Sequence, residues 1–407
     1  MNLRSRHVFM SRIVVPAVLA ACLFGAASAS FAQDTIKIGA PLALTGGLAE
    51  EGKKQQIAYE MWLKRVNAAG GINVGGKKMK VEIIMYDYQT NEKSAQQIGE
   101  RLITQDKVDF LLAPFGSGHT KVVAGVAERY GVPLLAPLAS SESVFDQGYK
   151  YLFGTLAPNG GIVENMATLF TKQFPGVKKI AILGRADVFP KAMAREMEKA
   201  AKAAGLEVVY NDTYPIGTLD HAPAMLKIKA AAPEWIFVSG YTQDLILARK
   251  QMADQQISAP IVTMITGPAY REFVEGLGKL ANGVTSASWW HQSLTYKADD
   301  VFGSTPEFYK EYVAREKKDP DYVHASSAAA LVVLQRAIEK AGTLDKAKVR
   351  DALAATDMMT FYGPVKFGPN GMNQGRELPI IQVHNGKIVP LFPLAIKAGE
   401  LMPMPPL

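Results

Sequence analysis

The residues with the clearest chemical potential lie in Phe115-Gly116-Ser117-Gly118-His119-Thr120, where an apolar run ends and helical spacing begins. Backbone N–H groups in the first turn of a helix lack an intrahelical partner and favour negative charge. Gly116 and Gly118 leave that backbone bare for a ligand to approach, and Ser117 and Thr120 add hydroxyl donors. Such a constellation suits a carboxylate held by neutral donors, with no formal counter-charge. The plainer alternative is that Ser117 merely caps a helix. A second site favours the first reading, because the next apolar run, 134–139, also ends on hydroxyls, Ser140 and Ser141. In neighbouring parallel strands Ser117 and Ser140 would converge on one group. His119 reads either as a further donor to a carboxylate or as a solvent-facing residue of the first turn.

Other chemistries fit poorly. Gly116 and Gly118 begin a GxGxxG-like run, but Lys121 stands at the third glycine and no acidic residue follows at a suitable strand end. The pattern GxxxxGK[ST] is absent, so dinucleotide and nucleoside-triphosphate binding are not expected. No GxSxG elbow or nucleophile–base constellation is visible, and the chain reads as a binding protein, not an enzyme. The six histidines, at 7, 119, 221, 291, 324 and 384, include no pair at metal-ligand spacing. Neither a metal nor a cofactor is expected.

The elements that must position these residues alternate between short apolar strands and amphipathic helices. Strands are expected at 35–44, 80–87, 108–114 and 132–137, with helices at 54–71 (stopped by Gly70-Gly71) and after Asn91. After a Gly- and Pro-rich loop at 153–161 the pattern restarts. Helices at 161–173, 190–204, 222–231 and 242–256 interleave with strands at 178–184, 206–210, 234–240 and 260–266. This grammar implies parallel sheets with helices on both faces, and the restart implies two sheets rather than one. Helices follow at 306–317 and 322–341. The stretch 326–334 reads as a buried small-residue helix. Residues 365–392 look like an antiparallel addition turning at Asn385-Gly386, and the final MPMPPL like a loose tail. Trp289-Trp290-His291 fall where the chain returns between the two halves; Trp289 either stacks on a ligand body or packs the core.

The 407 residues, 48% of them hydrophobic, are ample for a real core. The first 32 read as a secretory signal: Arg4, Arg6 and Arg12, an apolar stretch from Ile13 to about Ala27, and cleavage after Ala32. Leu19-Ala20-Ala21-Cys22 also resembles a lipoprotein signal, a second reading in which Cys22 is acylated. No later stretch is long and apolar enough to span a membrane, and an exported, soluble, periplasmic protein is expected. Losing the segment lowers the net charge from +7 to +4 and removes the one cysteine, leaving no disulfide or thiolate site. The pairs Lys53-Lys54 and Lys77-Lys78 read as solvated surface, not as a nucleic-acid footprint.

From about Ile36 to Val389 the chain resembles the periplasmic solute-binding proteins of branched-chain and other hydrophobic amino-acid ABC transporters, the Leu/Ile/Val-binding, type I periplasmic binding proteins. The landmarks are IGAPLALTGGLAEEG (38–52), NAAGGI (67–72), DYQTNEKSAQQIGERLI (87–103), GSGHT followed by VPLLAPLASS, and TFYGPVKFGPNG (360–371), in that order and spacing. The resemblance implies two doubly wound α/β lobes joined by three hinge crossings and closing on a ligand. Lobe one would comprise 34–156 plus 286–363, and lobe two 157–285 plus 364–395, with 396–407 as tail. It further implies that hydroxyls at Ser117 and Ser140, with a backbone N–H at 140, hold a ligand carboxylate, and that the Leu138 carbonyl accepts from a ligand amine. Phe189 and Tyr241 match aromatics of lobe two. The implied partners are a small-molecule carboxylate and a membrane ABC permease, with the protein a monomer.

Two departures bear on the ligand. Glu51 stands where an aromatic is common, and Ala269-Tyr270 stand where a carboxylate that grips an α-amino group is expected after Gly267-Pro268. An unpaired buried ammonium is costly. Either Glu51 compensates and the solute is a hydrophobic amino acid, or the solute is an aromatic or aliphatic carboxylate with no amine. A soluble ligand sensor is a further alternative, and an enzyme of doubly wound fold a more remote one.

Overall fold

The structure is a computed structural model and describes residues 35–374 and 376–406. The expected signal segment and Cys22 lie outside the described residues. Five strands form a parallel sheet in the order Val81–Asp87, Ile36–Leu42, Phe110–Leu112, Leu134–Ala136, Leu152–Gly154. They are apolar along nearly their whole length because helices cover both faces, which leaves no polar side to alternate with. The short strands 110–112, 134–136 and 152–154 are buried at every residue.

A second sheet of seven strands runs Lys387–Phe392, Ile380–His384, Thr285–Ala287, Ile261–Ile265, Trp235–Ser239, Lys179–Arg185, Glu207–Tyr214. Its last five strands are parallel, and the first two add on antiparallel. The turn between those two uses Asn385 and Gly386 at φ of 49° and 75°, the left-handed backbone that a tight hairpin requires. The expected division into two parallel sheets and the antiparallel addition are therefore both present. The chain crosses from the first sheet to the second after Gly154, returns after Ala287, and crosses again before Ile380. Between the last two crossings, the buried helix Tyr322–Ala341 packs on Ala49–Ala68, back in the first lobe.

Local signals hold at most element ends. The Asn91 carboxamide oxygen accepts from the Ser94 amide at 2.9 Å and opens the helix Glu92–Thr104. Gly70 and Gly71 adopt φ of 96° and 105° just beyond Ala49–Ala68, a helix that starts five residues earlier than its periodicity suggests. The tail corrects one expectation. Leu401 and Met404 are buried, the Met404 amide donates to the Pro260 carbonyl at 2.9 Å, and Met402 exchanges two hydrogen bonds with the Gln382 carboxamide. A Pro-rich stretch cannot build its own secondary structure, but here it docks along the second lobe. No helix among the described residues is long and apolar enough to cross a membrane.

Candidate functional site

Ligands of open parallel sheets bind beyond the carboxyl ends of the strands. In this chain the ends of both sheets face one small cavity, lined by Phe115, Gly116, Leu138, Ser140, Leu156, Phe189, Tyr241, Thr266, Trp289 and Tyr322. All of these but Tyr322 follow the carboxyl end of a strand within five residues: 115–116 after 110–112, 138–140 after 134–136, 156 after 152–154, 189 after 179–185, 241 after 235–239, 266 after 261–265 and 289 after 285–287. Its free volume is about 10 Å³, room for about one water molecule, so the side chains of the two lobes nearly fill it.

One wall is polar and comes from the first lobe. Ser117 is the first residue of the helix Ser117–Tyr130, so it does not cap it; Gly116 holds the cap position, at φ 88°. The Ser117 hydroxyl instead accepts from the Ser141 amide at 3.3 Å, and the Gly116 amide donates to the Leu138 carbonyl at 3.1 Å. These two bonds tie the ends of adjacent strands together and bring Ser117, Leu138 and Ser140 into one corner, as their spacing predicts. The Leu138 carbonyl keeps a second lone pair.

The glycines also make room for the second lobe. A Cβ on Gly116 would lie 3.1 Å from the Tyr241 hydroxyl, and one on Gly118 would lie 3.0 Å from an Asp187 carboxylate oxygen and 2.8 Å from a Glu92 carboxylate oxygen. Tyr241 and Asp187 belong to the second lobe. The bare backbone at 116–118 thus admits the opposing lobe.

The remaining walls are aromatic. Phe189 stacks on Tyr241 at 6.2 Å and meets Trp289 edge-on at 6.0 Å; Phe115 meets Tyr241 edge-on at 5.6 Å, and Trp289 lies 5.1 Å from Tyr322. The Trp289 indole N–H donates to the Ala157 carbonyl at 3.1 Å, which fixes its ring. Burial raises the Tyr241 and Tyr322 phenols well above their usual range, so both are neutral. Thr266 stands at φ 90°, rare for a side chain with a branched Cβ, and its hydroxyl donates to the Gly240 carbonyl. Backbone strain of this kind concentrates at ligand clamps.

Four expected residues stay out of the lining: Ser117, which braces it through the Ser141 amide, and His119, Ala269 and Glu51. His119 is not solvent-facing: it is 6% exposed, 3.4 Å from the Thr90 carbonyl and 5.0 Å from the Tyr88 ring, and burial lowers its pKa. Ala269 borders a separate, larger chamber with Trp290 and His291. Glu51 is buried and accepts from the Thr242 hydroxyl of the second lobe at 3.0 Å. The expectation for the Lys53-Lys54 pair fails in part. Lys53 is exposed, but the Lys54 side chain is only 5% exposed, and its ammonium donates to Asp321 at 2.7 Å and to Glu272 at 2.8 Å. Burial alone would lower the Lys54 pKa; Asp321 and Glu272 reverse that and raise it.

Of the lining residues, sequence reasoning passed over Phe115, Leu156, Thr266 and Tyr322 as ligand contacts. The first three were open to the strand-end rule had it been applied to every strand. Tyr322 gives no such signal, because it enters from the start of a helix in the returning segment. Among the described residues no group of three or more His, Cys, Asp or Glu side chains is placed to hold a metal.

Burial raises the Glu51 pKa, against the pull of Lys54 and its hydrogen bonds. A raised carboxyl contributes stability below the usual carboxylate pKa and loses it as pH climbs through the folded value. Glu51→Gln keeps an acceptor for Thr242 and removes the titration. Its melting temperature should match that of the unmodified protein near pH 4 and exceed it at pH 8; a difference that does not vary with pH would contradict the raised carboxyl.

Comparison with known proteins gives a consistent set of similarities. The profile of the family described as "Periplasmic binding protein" matches residues 35–387. The leucine-, isoleucine-, valine-, threonine- and alanine-binding protein of Pseudomonas aeruginosa is 25% identical over 375 residues, covering 90% of this chain and 94% of that one. The branched-chain amino acid transporter substrate-binding protein LivJ of Streptococcus pneumoniae, solved with isoleucine, superposes with a TM-score of 0.77 at 23% identity, covering 87% and 97% of the two chains. A solute-binding protein of an ABC transporter from R. palustris, solved with benzoate, superposes at 0.74 with 20% identity, covering 90% and 98%. The two structural likenesses speak to the fold, two parallel-sheet lobes joined by three crossings.

Proposed function

Because the chain belongs to the periplasmic binding protein family, we propose that it is the extracytoplasmic solute-binding component of an ABC importer, capturing a small carboxylate-bearing hydrophobic solute between its two lobes. The observation that carries this reading is the cavity itself: an aromatic cage from both lobes with a corner of serine hydroxyls and first-turn amides. Ser117, Ser140 and the nearby amides hold the carboxylate, and Phe189, Tyr241 and Trp289 enclose the body. The moving units are the lobes 34–156 with 286–363 and 157–285 with 364–395. Solute contacts made by both lobes shift the population toward the closed form, which a membrane permease then reads. The leader at 1–32 carries the chain out of the cytoplasm.

Two solute types fit. Hydrophobic amino acids are named for the P. aeruginosa relative, and benzoate accompanies the R. palustris structure. One observation favours a solute without an amine: no carboxylate side chain lines the cavity, while Glu51 is engaged by Thr242 and Ala269 is elsewhere. A thermal-shift panel of leucine, isoleucine, phenylalanine, benzoate and 3-phenylpropanoate tests the proposal. A ligand at 100 times its Kd adds about 2.7 kcal/mol of stability. At least one carboxylate should raise the melting temperature and its amide should not. A flat response across the panel, together with no carboxylate among co-purified molecules identified by mass spectrometry, would refute it.

A further inference from the structure

Two acids that stand behind the Tyr322 wall of the cavity are already occupied, and the residue that occupies them is Lys54. Its ammonium, from the helix Ala49–Ala68 of the first lobe, donates to Asp321 at 2.7 Å and reaches across to Glu272 of the second lobe at 2.8 Å. It also lies 4.2 Å from the centre of the Tyr270 ring. Tyr270 in turn stacks on Tyr322 at 5.5 Å, with their hydroxyls 2.6 Å apart, and Tyr322 lines the cavity. A cation, two carboxylates and a pair of neutral phenols therefore stand in sequence behind one wall of the site. Tyr270 occupies the stretch after Gly267-Pro268 where the sequence led us to expect an acid.

We propose that Lys54 is a specificity-determining residue: by claiming Glu272 and Asp321 behind the Tyr270–Tyr322 wall, it biases the cavity toward carboxylates that carry no α-ammonium. The proposal rests on the reading of the cavity as a carboxylate site and names the solute class within it. Its physical basis is competition. An ammonium in the cavity needs a carboxylate to offset its desolvation, and the two behind this wall are held by a cation that is itself buried and needs both of them. The phenols between cannot substitute, because burial raises both well above their usual range and keeps them uncharged. Lys54 touches no solute in this scheme. It acts through the acids it holds and the ring it faces.

Matched pairs isolate the effect. Phenylalanine and 3-phenylpropanoate share one skeleton and differ only in the α-ammonium; leucine and 4-methylpentanoate do the same for an aliphatic body. Calorimetric titration should give the unmodified protein an affinity ratio of at least about tenfold in favour of the amine-free member, equivalent to about 1.4 kcal/mol. Lys54→Met should lower that ratio by about tenfold. A change in lobe closure would weaken both members of a pair alike and leave the ratio where it was. Since Lys54→Met strands two acids and endangers folding, Glu272→Gln provides a second reading. Glu272 is partly exposed, its loss makes the wall less negative, and the ratio should rise. A preference for the amine-bearing member in the unmodified protein, an unchanged ratio in folded Lys54→Met, or an unchanged or falling ratio in Glu272→Gln overturns the proposal. Binding of no member of either pair overturns the carboxylate reading beneath it instead.

Discussion

Ser117→Ala combined with Ser140→Ala should lower solute affinity by about 100-fold or more, the largest loss expected from any conservative change in the cavity. Two hydrogen bonds to a charged group are worth about 1.5–3 kcal/mol each, and every 1.4 kcal/mol is tenfold in Kd. The two serines should not behave alike. The Ser117 hydroxyl already accepts from the Ser141 amide, so Ser117→Ala leaves a buried N–H without its partner and costs about 1–3 kcal/mol of stability as well. Ser140 lines the cavity directly, and its replacement should fall on affinity with little change in melting temperature. Titrations of each single variant and of the pair, read beside their melting curves, separate the two effects. Retained affinity in the double variant would show that the carboxylate is held elsewhere.

That corner was legible in the sequence because two ordinary rules intersect there. Apolar runs of strand length fix where strands end, and the carboxyl ends of parallel strands must face the ligand cleft. Ser117 and Ser140 follow from both rules; Leu138, Phe189 and Tyr241 come from the family resemblance and Trp289 from its place at a return crossing, and of these six all but Ser117 line the cavity while Ser117 braces it. Glu51 and Ala269 were placed by analogy of position, which says nothing about which way a side chain points or what claims it first. Glu51 turned out to be claimed by Thr242, 191 positions away. Lys54 is the sharper case. Beside Lys53 it has the look of solvated surface, and its partners Glu272 and Asp321 stand 218 and 267 positions along the chain. No window of sequence contains that information; only the packing of the returning segment and the approach of the second lobe create it. The tail fails for the same reason, since its partners Gln382 and Pro260 are tertiary.

The glycines at 116 and 118 link the polar corner to the aromatic cage. They were legible as bare backbone, but what approaches them is the Tyr241 hydroxyl and the Asp187 carboxylate of the opposing lobe. The polar corner and the aromatic cage are therefore not independent: the backbone whose first-turn amides form the corner also sets how close Tyr241 of the cage can come.

Trp289→Ala should lower affinity by about 50-fold, because the indole lines the cavity beside Phe189 and Tyr322, and a large aromatic side chain buries about 150–250 Å². At roughly 25 cal/mol per Å² even half of that area, passed on to the solute, is a loss of about 2–3 kcal/mol. Trp289→Phe should recover most of it. A phenyl ring keeps a stacking surface but cannot donate to the Ala157 carbonyl, so it sits less firmly. The change also provides an optical reading. Trp62, Trp235 and Trp290 are buried away from the cavity lining, which leaves Trp289 as the indole against which a solute would lie. Tryptophan emission should shift when solute is added to the unmodified protein and fall silent in Trp289→Phe even at saturating solute, where calorimetry still records binding. An undiminished emission change in Trp289→Phe would place the solute against another indole, and with it the site outside the cage formed by the strand ends.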